Sequence, residues 1–485
     1  MSNAKVVIHP EDEIGVISPR VYGHFAEHLG RCCYDGLWTG DKSYNVEKDN
    51  GWRADAVQAF KEMPVPLLRW PGGCYADHYH WRDGIGNPAS RPQRLGMSCG
   101  ETTLDTNSIG TDEFLYLCEK IGADAYLAGN MGSGTPQEMC DWLEYCNTKI
   151  ETTIAKERIA NGRNEPWNVP FWGVGNENWG CGGNFTAKQY GLEYKRFATM
   201  LRHVDPSAQL VTCGWDVMEW NKELIETLKS HMDLVDHYSI HRYWSAGSAV
   251  NFSEDDYYNM IVESEKTEHL ILTVGKMLAD ATDGKRFVGV ALDEWGVWSP
   301  EANLDANYYM ETTMRDAIAA AITFEGFHRQ CKVLSMANIA QISNVLQASI
   351  QTSGESMWKT PTYYAFKMYA PHQGATAVVC TIDDAHFRLP NRQTGLSATA
   401  SKATNGATTV SVVNRHMDKD VTVDISGCGG STCNAVLLSS EAPNSVNSAA
   451  EPDKVTLKPV DLNTSVDGTW TVTLPAHSIC SITIS

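Results

Sequence analysis

No stretch of this chain approaches the roughly 20 consecutive apolar residues of a membrane-spanning helix, so no membrane partner is expected. Positive charge is scarce. Lys and Arg number 39 against 59 Asp and Glu, a net charge of −20, which argues against nucleic acid or an anionic membrane as partner and suits a neutral substrate. No Gly-x-Gly-x-x-Gly or Gly-x-x-x-x-Gly-Lys follows a strand, so a nucleotide cofactor has no support. No Cys-x-x-Cys or His-Glu-x-x-His occurs, so a zinc site has none either, and no cofactor is expected. The first residues, Met1 to Pro10, lack a basic segment followed by a long apolar core. The 14 cysteines have no framework spacing and are expected to be reduced thiols of a cytoplasmic protein; Cys428 and Cys433 are near enough in sequence to bridge, but the missing export signal argues against it. There is no internal repeat and no low-complexity tract.

What the chain does contain is an alternation. Apolar runs at Ile14–Tyr22, Pro66–Trp70, Ala125–Ala128, Phe171–Gly175, Gln209–Cys213, Leu234–Ile240, Phe287–Leu292 and Val333–Ala337 read as strands. Helical spacing falls in most of the gaps, for example at Thr111–Ile121, Thr186–Val204, Asp255–Thr282 and Asn307–His328. Eight such units predict an α/β fold, a closed (β/α)8 TIM barrel over residues 14–373. An open doubly wound sheet is the runner-up. The region Tyr75–Gly110 reads as one long loop, of a length that is usually functional. Beyond Gly374, short alternating runs split by Gly, Asn, Asp and Ser predict an antiparallel β-sandwich, formed by residues 374–485 together with 1–13.

Two of the strand ends stand out. Phe171 to Trp179 reads Phe-Trp-Gly-Val-Gly-Asn-Glu-Asn-Trp, and Val290 to Trp298 reads Val-Ala-Leu-Asp-Glu-Trp-Gly-Val-Trp. A carboxylate at a strand end is costly to bury without a partner or a task. Either glutamate alone is more often a salt-bridged surface residue. Together, Glu177 and Glu294 are what glycoside hydrolysis requires, one acid to protonate a leaving oxygen and one carboxylate to attack or to activate water. The bordering tryptophans offer flat apolar faces to a sugar, and 15 Trp and 19 Tyr are ample for that use. In a barrel these groups converge at the C-terminal ends of the strands, where Glu27, Arg69 to Cys74, Asn130, His241, Tyr243, Asn338 and Asn344 to Gln347 are also placed.

These segments carry a family resemblance. Tyr22 to Gly30 (Tyr-Gly-His-Phe-Ala-Glu-His-Leu-Gly), Arg69 to Tyr75 (Arg-Trp-Pro-Gly-Gly-Cys-Tyr), Trp81 to Gly86, Gly175 to Gly180, His241 to Tyr243, Asp293 to Gly296 and Asn344 to Gln347 occur in an order that resembles glycoside hydrolase family 51, the α-L-arabinofuranosidases. Leu474 to Ser478 is similar to the end of that family's sandwich. The resemblance implies Glu177 as acid/base and Glu294 as nucleophile of a retaining double displacement. It implies Arg69 and Tyr243 holding Glu294, Asn176 at the hydroxyl next to the anomeric carbon, Glu27, Cys74 and Gln347 on the outer hydroxyls, and Trp298 and Phe25 walling the ring. It further implies an exo-acting enzyme on arabino-oligosaccharides or arabinoxylan, and a homo-oligomer, commonly a hexamer. The loop Arg94 to Gly100 lacks the aromatic or His contact that the family often places after Trp81; Trp244 is the expected substitute. Three other readings compete: a β-xylosidase or endo-β-1,4-glucanase on the same barrel, a sugar-binding protein without catalysis, which two facing carboxylates argue against, and a cysteine enzyme using Cys74, for which no local His serves as base.

Overall fold

The computed structural model describes residues 4–40, 42–391, 393–460, 462–464 and 468–485; residues 1–3 of the expected N-terminal contribution lie outside these. Eight parallel strands close into a barrel: Gly23–Phe25, Leu67–Trp70, Asp124–Gly129, Phe171–Val174, Gln209–Thr212, His237–Trp244, Gly289–Val297 and Leu334–Ala340. Their residues are buried on both faces, which is why they read as short continuous apolar runs. Leu67, Tyr126, Phe171, Val211, Ala291 and Met336 form a separate cluster contributed by six of the eight strands, a layer of side chains that fills the barrel interior.

Helices cover the barrel and start where the sequence supplies caps. Thr186 and Gln189 form a capping box for Ala187–Val204, and Ser253 and Asp256 one for Glu254–Ala281. The helix Met314–Arg329 is buried from Met314 to His328 because it lies between the barrel and the C-terminal sheet. Its alanines keep it slim enough to pack on both sides.

The C-terminal unit is a ten-stranded sheet. Strands from both ends of its order, such as Cys433–Leu438 and Trp470–Leu474, share one core, so the sheet folds over on itself. The run at Ile14–Tyr22 is not a barrel strand. A long strand, Ala4–Val16, belongs to this sheet, where it pairs antiparallel with Thr376–Asp383 and parallel with Val421–Ser426. Pro19–Tyr22 then makes a turn of 3-10 helix, and the barrel begins at Gly23. The region Tyr75–Gly110 is also more ordered than a loop. It contains a hairpin, Arg94–Ser98 with Glu101–Asp105, whose tip reaches the barrel mouth.

Candidate active site

Glu294 lies near the end of the seventh barrel strand. Strict alternation would send Asp293 and Glu294 to opposite faces. The pairing register slips on both sides here, between Ser239 and His241 of the sixth strand and, against the eighth, between Leu292 and Trp295 of the seventh strand itself. Such irregularities re-aim side chains, and both carboxylates reach His241: Nε2 is 3.3 Å from Asp293 Oδ1, and Nδ1 is 3.4 Å from Glu294 Oε2.

Glu177 follows the fourth strand with φ of 42°, a left-handed conformation that costs a non-glycine residue about 1 kcal/mol or more. Its Oε1 lies 2.7 Å from His241 Nδ1. Single ligand atoms of Glu177, His241 and Glu294 all fall within 4.8 Å of one another, so the two glutamates face each other across the barrel mouth.

Arg69, from the second strand, is buried beneath them. It donates to Glu294 Oε1 at 2.7 Å and to Asn176 Oδ1 at 2.6 Å, and its Nε is 3.7 Å from Asp293 Oδ2. Tyr243 donates to the other oxygen, Glu294 Oε2, at 2.9 Å. Asp293 also accepts from Tyr126 at 2.6 Å and from Ser239. Asn176 Nδ2 is a buried donor without a partner. Across the mouth, Glu27 accepts from Ser98 at 2.6 Å, from the Tyr75 amide at 3.3 Å and from Gln341 at 3.1 Å. Gly73 permits this crowding, because a Cβ there would sit 2.9 Å from Glu294 Oε1 and 3.2 Å from Glu27 Oε1.

The electrostatics follow from burial and charge. Burial pushes the Glu177 carboxyl up, and the negative charge of Glu294 adds to this; His241 and Arg69 oppose it. Burial alone would lower His241, but Glu294, Asp293 and Glu177 override it and lift it to about 10. Both ring nitrogens face carboxylates, which only the charged imidazolium satisfies. Burial raises Glu27 to about 7, with Glu294 contributing. Asp293 is held down at about 2: burial would raise it, but Arg69, His241 and Ser239 prevail.

The cavity above these groups has a volume of about 240 Å³ and takes in Glu27, Cys74, Cys99, Glu177, Tyr243 and Glu294, with Trp179 and Trp298 as walls. Trp179 is stacked on Trp215 with ring centroids 4.2 Å apart, and Trp298 meets Tyr243 edge-on at 5.1 Å. Two larger cavities involve the C-terminal sheet and lie away from the barrel mouth.

Several expectations are corrected. Gln347 is fully buried and committed elsewhere: it accepts from the Val297 amide and donates to Asp316 O and Thr362 Oγ1. Gln341 stands at the cavity in its place. Phe25 is also fully buried. Its ring lies under the Arg69 guanidinium at 4.5 Å, so it supports the arginine and does not wall the cavity. Trp244 is buried, bonded to Thr267, and offers no stacking face. Cys74 does line the cavity, but it is not a free thiol: it is bridged to Cys181. Asn130 and Asn338 spend their side chains on neighbouring backbone, and Asn130 also on Ser133.

The buried ion cluster yields one prediction. Arg69→Met removes the counter-charge of two buried carboxylates, and breaking such a pair from one side costs about 3–5 kcal/mol. Chemical denaturation of the variant is expected to show that loss; an unchanged midpoint with an unchanged slope would contradict the role given to Arg69.

A parallel barrel that brings two carboxylates together between indole rings, over a cavity at its C-terminal mouth, is the architecture of a glycoside hydrolase. The α-L-arabinofuranosidase 1 domain matches residues 59–261, and the α-L-arabinofuranosidase C-terminal domain matches residues 293–478. An intracellular exo-α-L-arabinofuranosidase of Bacteroides ovatus is 37% identical, over 99% of this chain and 95% of its own. A probable α-L-arabinofuranosidase C of Aspergillus niger is 32% identical over 88% of this chain and 87% of its own. The family 51 arabinofuranosidase of Xanthomonas axonopodis pv. citri superimposes with a TM-score of 0.93 at 32% identity, over 100% of both chains. The chain belongs to the α-L-arabinofuranosidases of glycoside hydrolase family 51.

Proposed function

We propose that this arabinofuranosidase works by a retaining double displacement, with Glu177 as acid/base and Glu294 as nucleophile. The observation that carries this reading is that one carboxylate oxygen of Glu177 and one of Glu294 lie within 4.8 Å of each other. Retaining glycosidases hold their carboxyls about 5–5.5 Å apart, whereas inverting ones leave roughly 6.5–9.5 Å for a water. In the first step Glu294 attacks the anomeric carbon while Glu177 gives its proton to the departing oxygen. An arabinosyl ester of Glu294 results. In the second step Glu177 takes a proton from water, and that water attacks the same carbon to release arabinose and free Glu294.

The remaining groups divide the labour. Arg69 and Tyr243 hold one oxygen of Glu294 each, which fixes the carboxylate before attack. His241 orients Glu177. Asn176 Nδ2 is a ready donor to the hydroxyl beside the anomeric carbon, and Glu27, Gln341 and the Cys74 segment receive the outer hydroxyls. The cavity is smaller than the ~300–1,000 Å³ of drug-sized sites, which favours one terminal furanose ring over a run of sugars. Trp179, backed by Trp215, is placed to stack on the next sugar. The β-xylosidase and endo-glucanase alternatives are not favoured by the relatives. A cytoplasmic location draws support from the intracellular Bacteroides ovatus relative. A hexameric assembly rests on the family resemblance.

The test compares the p-nitrophenyl glycosides of α-L-arabinofuranose, β-D-xylopyranose and β-D-glucopyranose. The arabinofuranoside is expected to lead in kcat/KM by roughly a hundredfold or more. Proton NMR of the first-formed sugar is expected to show the α anomer. A β anomer as first product would overturn the retaining mechanism, and a faster xyloside would overturn the substrate.

A further inference from the structure

Glu177 belongs to two clusters of ligand-type atoms. One holds His241 and Glu294. The other holds Cys74 and Cys181: one atom from each of Cys74, Glu177 and Cys181 lies within 4.8 Å of the other two. Cys181 comes four residues after Glu177, and its Sγ is 3.9 Å from Glu177 Oε2. Cys74 reaches the same point from the loop after the second strand and is bridged to Cys181 with their Cα atoms 5.5 Å apart. Among the described residues no other cysteine joins such a cluster. Cys74 and Glu177 both line the cavity, so the cluster is open to small solutes.

In the bridged state the sulfurs carry no charge and are poor ligands. A dithiol reductant changes that. Its two sulfurs become a disulfide, and two electrons and two protons pass to Cys74 and Cys181, which become thiols. Each thiol can then lose its proton on binding a cation. Zn²⁺ favours four ligands in a tetrahedron, drawn from thiolate, imidazole and carboxylate, with water in the fourth position where the protein gives three. Two sulfurs and one Glu177 oxygen make three such ligands, with the cavity on the open side.

We propose that opening the Cys74–Cys181 bridge creates a site for a thiophilic divalent cation, formed by Cys74, Cys181 and Glu177. A cation held there ties up Glu177 and stops hydrolysis, and the bridge keeps that carboxylate free. The loss of activity rests on Glu177 being the acid/base; the binding of the cation does not. Such a site matters most in a reducing compartment, where bridges within reach of a dithiol are opened.

The experiment uses the full chain, half of it treated with dithiothreitol and half untreated, both desalted without air. Free thiols are counted after denaturation, and each sample is titrated with Zn²⁺ and, in parallel, with Co²⁺. The treated protein is expected to gain two thiols and to bind one more Zn²⁺ per chain than the untreated. With Co²⁺ it is expected to develop thiolate-to-cobalt absorption in the near ultraviolet. Hydrolysis is expected to fall by about 10²-fold or more with Zn²⁺ and to recover with EDTA. Cys181→Ser, reduced in the same way, is expected to show neither the additional metal nor the absorption. No gain in thiols, no additional metal, or equal uptake by Cys181→Ser would overturn the site. Specific uptake with full activity would leave the site standing and overturn its blockade of Glu177.

Discussion

Glu294→Gln is expected to lower kcat on the p-nitrophenyl arabinofuranoside by on the order of 10⁵-fold, while the fold persists because Arg69 keeps Asp293 as a counter-ion. The amide keeps the size of the side chain. It also keeps an oxygen for either Arg69 or Tyr243, which approach different oxygens of the native carboxylate. What it loses is the negative charge that forms the bond to the anomeric carbon. An aryl leaving group departs readily, so it cannot hide a missing nucleophile. Steady-state kinetics together with a melting curve separate the two effects. Activity within tenfold of wild type would remove Glu294 from the chemistry, and a collapsed melting temperature would make the variant uninformative about attack and call for Glu294→Ala.

Glu177→Ala is expected to behave differently, and the difference identifies an acid/base. On an arabino-oligosaccharide, whose leaving group needs a proton, kcat/KM is expected to fall by about 10²–10⁴-fold. On the p-nitrophenyl substrate the first step needs little acid help. The ester on Glu294 then forms and persists, because no base activates water. Azide, which needs no base, is expected to restore turnover and to give an α-arabinosyl azide. Failure of azide to restore any rate would argue against this assignment. The sign of the pH dependence follows from burial raising the Glu177 carboxyl. The acid is competent while protonated, so activity is present below its folded pKa and is lost as pH rises through it. Glu27, lifted to about 7, faces the same cavity and adds a titration of its own. In Glu177→Ala the limb due to Glu177 is expected to vanish, leaving only what Glu27 contributes.

Much of the fold was readable because parallel strands buried on both faces leave short apolar runs, and helices leave caps and stops. Phe171–Val174 and Ala187–Val204 fall within a residue of where the pattern puts them. Misreadings arose where apolar pattern and function part company. Ile14 to Tyr22 is apolar and extended in part, but a sheet edge and a barrel edge look alike without their partners. The eighth strand runs to Ala340, three residues beyond the expected end. Gln347 rests on the resemblance alone, and it is the longer strand that brings Gln341 to the mouth. Phe25 likewise rests on the resemblance, and the arginine lying on its face is a contact that the sequence does not encode. The Cys74–Cys181 bridge joins loops 107 residues apart in sequence, a proximity that no local spacing encodes. Trp179 was visible in the motif, but its stacking on Trp215 depends on two loops meeting.

The strand Ala4–Val16 also has a consequence for how the chain is made. It is translated before the barrel, yet its partners Thr376–Asp383 and Val421–Ser426 are translated only after it. At about 5–20 residues per second the wait is on the order of half a minute. Throughout it, Val6 and Ile8, which are buried in the finished sheet, remain uncovered on an unpaired edge. The barrel is thus assembled while this strand still lacks its mates, and completion of the C-terminal sheet is the event that joins the segments on either side of the barrel.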